Sequence, residues 1–357
     1  MPKINPENER IKRQFLHHQK DAKGMDEKSL DKAAAAIDRL QRYTNYKPFK
    51  AFHIEQAVGF KRMLEAEQNP RTKKPLAAST RIQILGSLKS FIHWLADKPG
   101  YKSRISYSDA EYFNASNKDM RIATAKRPKR YPSIEQIIHV LKTMPDHTDI
   151  EKRNRALLAL NFLTTARVGA LASFKLKHIY IDQEMVFQDA REVNTKFSKT
   201  FETYFVQIEP LPLAIIKNYF QFLKTEKLFG PDDPLFPKTL IKLIPGKGFQ
   251  ATGLSKQHWQ QTNGIRAIFK HAFEAAGISY YHPHSFRDTL VQYGKEHCTS
   301  IQAFEAWSLN LGHTNFAVTL SSYGGISLDQ RRNLVRNVKS INDEDKRFTD
   351  ERPGLMG

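Results

Sequence analysis

A single cysteine, Cys298, stands in a chain of 357 residues, which excludes an internal disulfide and any cysteine-built zinc site within one chain. The 13 histidines do not replace it. His271, His282 and His284 follow no zinc-ligand spacing, so no metal is expected. No apolar run approaches the length of a bilayer span, and residues 1–13 have no signal-peptide core. The expectation is a cytoplasmic protein without membrane contact. Gly246-Lys247-Gly248 lacks the residues that complete a Walker loop, so neither a nucleotide site nor any cofactor is expected.

Acid is the scarcer charge. Against 37 Asp and Glu stand 56 Lys and Arg, a formal net charge of +19, with an isoelectric point near 9.8. Such an excess suits a polyanion, because each phosphate neutralised by Lys or Arg releases condensed counterions. Nucleic acid is therefore the expected partner. The remaining composition, 40% hydrophobic and 26% charged, is that of a soluble globular chain long enough for two domains with their own cores.

The last quarter of the chain carries chemistry: His284-Ser285-Phe286-Arg287, then Leu311-Gly312-His313, then Tyr323. A guanidinium fork matches the oxygens of a phosphate, an imidazole holds or moves a proton near neutral pH, and a phenol is a possible nucleophile. Upstream lie Arg167, in Thr164-Thr165-Ala166-Arg167-Val168-Gly169-Ala170-Leu171, and Lys196, in Asn194-Thr195-Lys196-Phe197-Ser198-Lys199-Thr200. In chain order the set is Arg, Lys, His-x-x-Arg, His, Tyr. It resembles the tyrosine recombinases, the phage-integrase family of site-specific DNA strand-exchange enzymes. The resemblance runs roughly from Lys28 to Lys339 and is strongest from Tyr131 onward.

Transfer of a phosphodiester to a protein nucleophile needs charge stabilisation at a pentavalent phosphorus, removal of a proton from the attacking group and delivery of one to the leaving oxygen. Arg167 and Arg287 are the candidates for gripping the non-bridging oxygens through charge-assisted bonds. The resemblance makes Tyr323 the nucleophile, with His284 as base and His313 as donor to a phosphate oxygen. An ordinary phenol ionises near ~10, so it needs a base or a strongly cationic pocket. Lys196 is the expected acid for the leaving 5′ oxygen. The family places its lysine first in a Lys-x-x-Lys turn, which favours Lys196 over Lys199 and leaves Lys199 as a DNA contact. The resemblance further implies a covalent 3′-phosphotyrosyl intermediate, double-stranded DNA with specific sites, a homotetramer on two sites, and integration or excision of a mobile element.

Two positions depart from the family pattern. Thr165 stands where glycine is common, and Ala170 where an acid is common, which removes a carboxylate able to orient the arginine or a histidine. Asp288 is a candidate replacement. Two rival readings stay open: a catalytically silent DNA-binding protein of the same fold, and a type IB topoisomerase-like enzyme that relaxes DNA as a monomer.

The expected fold is mainly α with a small β-sheet, a helical N-terminal DNA-binding domain followed by a mixed α+β catalytic domain. Residues 1–24 read as a basic arm without sustained apolar period. Residues 25–106 read as the helical core-type domain, with Leu30, Ala34, Ile37 and Leu40 on one helix, a second helix over 53–66, and Ile82, Leu85, Leu88, Ile92 and Leu95 along a third. Arg81 and Lys89 lie off that last stripe and are expected at DNA. Residues 107–130 read as an extended basic linker, with Lys126, Arg127, Lys129 and Arg130 as further DNA contacts. In the catalytic domain, 131–326, a buried helix over 156–163 delivers Arg167. Strand chemistry at 185–187 and 203–208 brackets Lys196 and Lys199. A loop is expected over 237–255, then helices over 258–276, 284–295 and 301–310. Residues 327–357 form an amphipathic tail that docks on a neighbouring protomer or on its own domain.

Overall fold

The computed structural model of the protein describes residues 4–125 and 129–313. The chain divides into two compact units, Met1–Arg127 and Pro128–Gly357.

The first unit is helical: α1 (Pro6–Asp21), α2 (Glu27–Tyr43), α3 (Ile54–Ala66), α4 (Ala78–Ala96) and α5 (Asn117–Thr124), with a 3₁₀ segment at Tyr107–Phe113. Its core gathers Phe15, Ile37, Phe60, Leu88, Phe91 and Phe113. Phe15 meets Phe91 edge to face at 5.2 Å, the geometry the ring quadrupole favours.

Residues 1–24 were expected as an arm, but residues 6–21 are a core helix. Asn5 caps it by accepting from the Glu7 and Asn8 amides, Pro6 opens the first turn, and acidic residues sit at the start and basic ones at the end, each favouring helix. Its buried stripe is Asn8, Ile11, Phe15 and Gln19. Half of that stripe is polar, which hides the period in the sequence. Asn8 is satisfied inside by donating to the Lys47 carbonyl at 2.9 Å and accepting from the Phe49 amide at 3.0 Å.

Residues 107–130 were expected as an extended linker, but up to Thr124 they fold against α4. Ala110 and Phe113 are buried, and Ser116 caps α5. The 3₁₀ repeat of three residues explains the lost apolar rhythm. Buried Asp119 of α5 binds Arg81 through both guanidinium nitrogens that face it, and Arg81 also donates to the Leu76 carbonyl at 2.6 Å. Lys89 reaches Glu111 at 2.9 Å and Asn114 at 2.9 Å. Arg81 and Lys89, both expected at DNA, are thus engaged within their own unit. Lys126 and Arg127 lie outside the described residues.

The second unit opens with α6 (Ile134–Thr143) and α7 (Asp149–Thr164), then the short α8 (Val168–Ser173). Strands β1 (Ile179–Tyr180), β2 (Met185–Gln188) and β3 (Phe201–Tyr204) form an antiparallel sheet in that order. Val186 faces Thr203, and Gln188 faces Phe201. Helix α9 (Pro210–Thr225) follows, then β4 (Thr239–Ile244) and β5 (Gly248–Leu254), and finally α10 (Asn263–Ala275), α11 (Ser285–His297) and α12 (Ile301–Asn310). From Ala156 to Thr164 every residue of α7 is buried, so it is the axis of this core.

The stretch expected as a loop at 237–255 is the β4–β5 hairpin. Its turn is Ile244-Pro245-Gly246-Lys247, closed by the Lys247 amide on the Ile244 carbonyl at 3.0 Å. Gly246 has φ +76°, so proline at the second position and a left-handed glycine at the third make a type II turn. Arg153 of α7, 1% exposed, anchors the hairpin by donating to the Pro237 carbonyl at 2.6 Å and the Thr239 hydroxyl at 3.2 Å. β3 ends at Tyr204, short of the expected 208, because Val206 already bonds to α7 through the Leu163 carbonyl.

Truncating Phe15 tests whether α1 is integral to the first unit. Phe15→Ala is expected to cost about 3–5 kcal/mol of stability, read by urea unfolding. A cost under about 1 kcal/mol would mean the helix is a dispensable appendage.

Candidate active site

The site is built where α7 ends. Thr165 leaves the helix with φ +47°, a left-handed backbone position that costs a residue with a side chain about 1–2 kcal/mol. This is the position where the resembled family commonly carries glycine. Its side-chain hydroxyl is buried without a hydrogen-bond partner among the described residues. The turn is tied by Asn161 donating to the Ala166 carbonyl at 2.9 Å and by the Ala166 amide on the Thr164 hydroxyl at 3.2 Å. It ejects Arg167, half-buried, which then caps α8.

Arg287 approaches the same turn from α11. It is 3% exposed and donates to the Thr165 carbonyl at 3.2 Å. The next residue, Asp288, is also buried and accepts from Lys129 at 3.0 Å. Lys129, expected at DNA, therefore also serves inside this unit. Arg130 is exposed.

The third arm comes from α12. Its C-terminal turn closes with Gly312 at φ +77°, and a Cβ there would meet the Phe201 ring at 3.1 Å and the Arg287 guanidinium at 3.7 Å. Glycine is needed on both counts. The turn delivers His313, whose Nδ1 lies 3.3 Å from the Ser308 hydroxyl. Asn310 holds this end of α12 to the edge of β3. It accepts from the Tyr204 amide at 2.7 Å and donates to the Tyr204 carbonyl at 2.9 Å.

A cleft between α12 and the β2–β3 connection is lined by Arg167, Lys196, Lys199, Gly312 and His313. Both lysines are exposed and both face that cleft, so geometry alone leaves them as rivals. His284 stands at the start of α11 within the electrostatic reach of Arg287, Asp288 and Arg167. Five of the six groups expected to act together are thus neighbours. The sixth, Tyr323, lies outside the described residues, as does the tail after it.

The electrostatics follow from this crowding. Burial among protein atoms lowers the His284 pKa from 6.5 to about 4, helped by the Arg287 charge and opposed by Asp288. His284 is nonetheless an exposed residue, with its ring stacked at 6.3 Å on that of His282. His313 is lowered to about 4 as well, by burial first and then by Arg287 and Arg167. Desolvation also lowers Arg167. Among the described residues the Arg167 guanidinium has no hydrogen-bond or ion-pair partner. A half-buried cation of this kind is completed by an anion. Ala170, at the position where an acid was noted as usual, is 1% exposed and packs in the apolar core.

Sequence reasoning passed over Ser308, Asn310 and Gly312 as working parts. Only Gly312 left a signal, as the glycine of Leu311-Gly312-His313.

Comparison with known proteins places this arrangement in a class. The model of the phage integrase family matches residues 131–325. Tyrosine recombinase XerC of Lactobacillus delbrueckii subsp. bulgaricus is 23% identical over 222 residues, 61% of this chain and 64% of the relative. XerC of Lactobacillus leichmannii gives the same identity and coverage. The chain thus spans 64% of the length of these curated relatives. Among solved structures, a lambda integrase dimer bound to a COC′ core site superposes with TM-score 0.57 at 13% identity, over 92% of this chain and 85% of that one. The Tn1549 transposon integrase in complex with transposon right end DNA gives 0.56 at 13% identity, over 92% and 99%. A mainly helical fold with a small sheet is common to them. The chain belongs to the phage integrase family, the tyrosine recombinases.

Two outcomes follow from the geometry. Unfolded imidazoles take protons near 6.5 but these two only near 4, so the unfolded state binds more protons in between and stability falls as pH drops through that window. The melting temperature of the DNA-free protein should decline from pH 6.5 to 4, and His313→Gln should flatten the slope; an unchanged slope would contradict the shift. Thr165→Gly relieves the left-handed backbone and removes the unpartnered hydroxyl, for an expected gain of about 1 kcal/mol. A loss on denaturant titration would show that the threonine side chain is needed by its neighbours.

Proposed function

We propose that the chain is a site-specific DNA recombinase that cleaves and rejoins strands through a covalent 3′-phosphotyrosyl intermediate. The single observation that carries the reading is the Arg167 guanidinium, without a partner among the described residues, on one cleft with the neutral imidazole of His313 and two lysines, while Arg287 and His284 stand within electrostatic reach of the same group.

On this reading the scissile phosphate occupies the cleft, and Arg167 and Arg287 hold its non-bridging oxygens. Two guanidiniums offset the charge that builds on the pentavalent phosphorus. A Ser308 hydroxyl donating to His313 Nδ1 leaves the proton on Nε2, which then donates to a phosphate oxygen. The Tyr323 oxygen attacks phosphorus and the bond to O5′ breaks. The phenol proton passes to neutral His284, whose basicity rises once the phosphate offsets the arginines. Lys196 gives a proton to O5′. Attack by a second strand's 5′-hydroxyl reverses these steps, so the phosphotyrosyl bond conserves the energy for resealing. No ATP or metal enters the scheme.

The partner is double-stranded DNA carrying recombination sites, with Lys126, Arg127, Arg130 and Lys199 as proposed backbone contacts. Arg81 and Lys89 serve better as internal ties. A homotetramer on two sites is proposed, by analogy with a lambda integrase tetramer bound to a Holliday junction, TM-score 0.53 at 14% identity. The tail from residue 327 is the proposed protomer contact, and integration or excision of a mobile element the proposed task.

The test is covalent trapping on a nicked suicide substrate made from the DNA flanking the gene. The parent protein should form a denaturant-stable adduct, Tyr323→Phe none, and Arg287→Ala about 10²–10³-fold less. An adduct that survives Tyr323→Phe, or none with the parent, overturns the reading. Two-site circular DNA then separates recombinant joints from simple relaxation.

A further inference from the structure

We propose that Ser173 and Gly169, both on α8, are positioning residues for Lys196, referencing its connection to the same six-residue helix that Arg167 caps. The inference rests on the reading of Lys196 as a working group of the cleft.

The connection between β2 and β3 is not a free loop up to residue 194. The Asp189 carbonyl accepts the amides of Glu192 at 3.0 Å and Val193 at 2.7 Å, and its carboxylate accepts the Arg191 amide at 3.0 Å. Val193 is buried. Glu192 accepts from Lys175 at 2.6 Å and Lys177 at 2.8 Å, though exposed pairs of this kind anchor weakly.

The decisive contacts come at Asn194. Its amide donates to the Ser173 hydroxyl at 2.9 Å. The serine in turn donates to the carbonyls of Gly169 at 3.0 Å and Ala170 at 3.2 Å, so one hydroxyl stitches the connection onto the last turn of α8. One turn earlier on the same face of the helix, a Cβ on Gly169 would lie 3.2 Å from the Asn194 carbonyl oxygen. That is tight against backbone, which has little room to yield. Glycine lets the two backbones approach this closely, and an added methyl would push the connection back by a few tenths of an ångström.

Lys196 follows two residues later, exposed and on the cleft. Because Arg167 is the N-cap residue immediately before α8, a shift of Asn194 changes the reach of the lysine relative to the guanidinium that would hold the phosphate. Proton delivery is sensitive to such shifts, since a 1 Å misplacement costs on the order of 10²-fold in rate.

The experiment measures single-turnover cleavage by the full chain on two nicked substrates, one with an ordinary phosphodiester and one with sulfur replacing the bridging 5′ oxygen. In the second, the phosphorus–sulfur bond breaks and the sulfur leaves as a thiolate, which needs no proton donor. Ser173→Ala should cut the ordinary substrate roughly 3- to 10-fold slower, the effect of one lost neutral hydrogen bond, with unchanged DNA affinity and a melting temperature lowered by a few degrees at most. Gly169→Ala should be slower by about 10- to 100-fold. Both should return to the parent rate on the sulfur substrate, as should Lys196→Ala. The double variant Ser173→Ala, Lys196→Ala should be no slower than Lys196→Ala alone on the ordinary substrate.

Additive losses in the double variant, or equal defects of Ser173→Ala on both substrates, would overturn the positioning role. Failure of Lys196→Ala to recover on sulfur would instead refute the lysine as proton donor, and the double variant would still decide whether α8 acts through it.

Discussion

One hydrogen bond joins two segments far apart in sequence. Arg287, in the first turn of α11, donates to the carbonyl of Thr165, the left-handed residue that ends α7. The site depends on this contact because it sets one arginine against the turn that ejects the other. Neither guanidinium attracts its neighbour; like charges repel, and the surroundings strip water from both. What holds them is the rigidity of α7, buried along its second half, and a carbonyl that accepts from Arg287 at the point where Arg167 begins. Remove the acceptor geometry and the arginines lose their common reference.

The remaining parts are arranged around that bond. Gly312 allows the end of α12 to press against the Arg287 guanidinium, and Asn310 ties that end to β3 by mimicking a strand neighbour. The imidazoles then sit in a field of positive charge, and the cheapest response is to stay neutral. Asp288 is the one buried carboxylate shown to counter this field at His284. It takes Lys129 as its own partner, so the acid absent at Ala170 is not simply restored. The cleft stays cationic overall, which suits a ligand that brings its own negative charge.

Much of this was legible before any coordinates. The order Arg, Lys, His-x-x-Arg, His, Tyr carried the family, because each chemical group survives substitution poorly and leaves a fixed mark in sequence. The buried helix ending at Arg167 and the strands flanking Lys196 were legible from apolar runs and β-branched residues. What failed did so for physical reasons. In α1 half of the buried stripe is amide side chains, which no apolar period records, and the 3₁₀ stretch before α5 repeats every three residues. The charges of Arg81, Lys89 and Lys129 look free in a sequence, since ion pairing across 22 to 159 residues has no local signature. The hairpin at β4–β5 was passed over although Pro245-Gly246 spells its turn.

The proposed chemistry requires two guanidiniums and two imidazoles to share one phosphorus. A structure of the protein with nicked site DNA and orthovanadate tests it most directly, because vanadate adopts the five-coordinate geometry of the transferring phosphate. Vanadium is expected in the cleft, bonded to the Tyr323 oxygen, with Arg167 and Arg287 on its equatorial oxygens and His313 within hydrogen-bond distance. Vanadate bound away from that cleft, or held there by only one of the arginines, would contradict it.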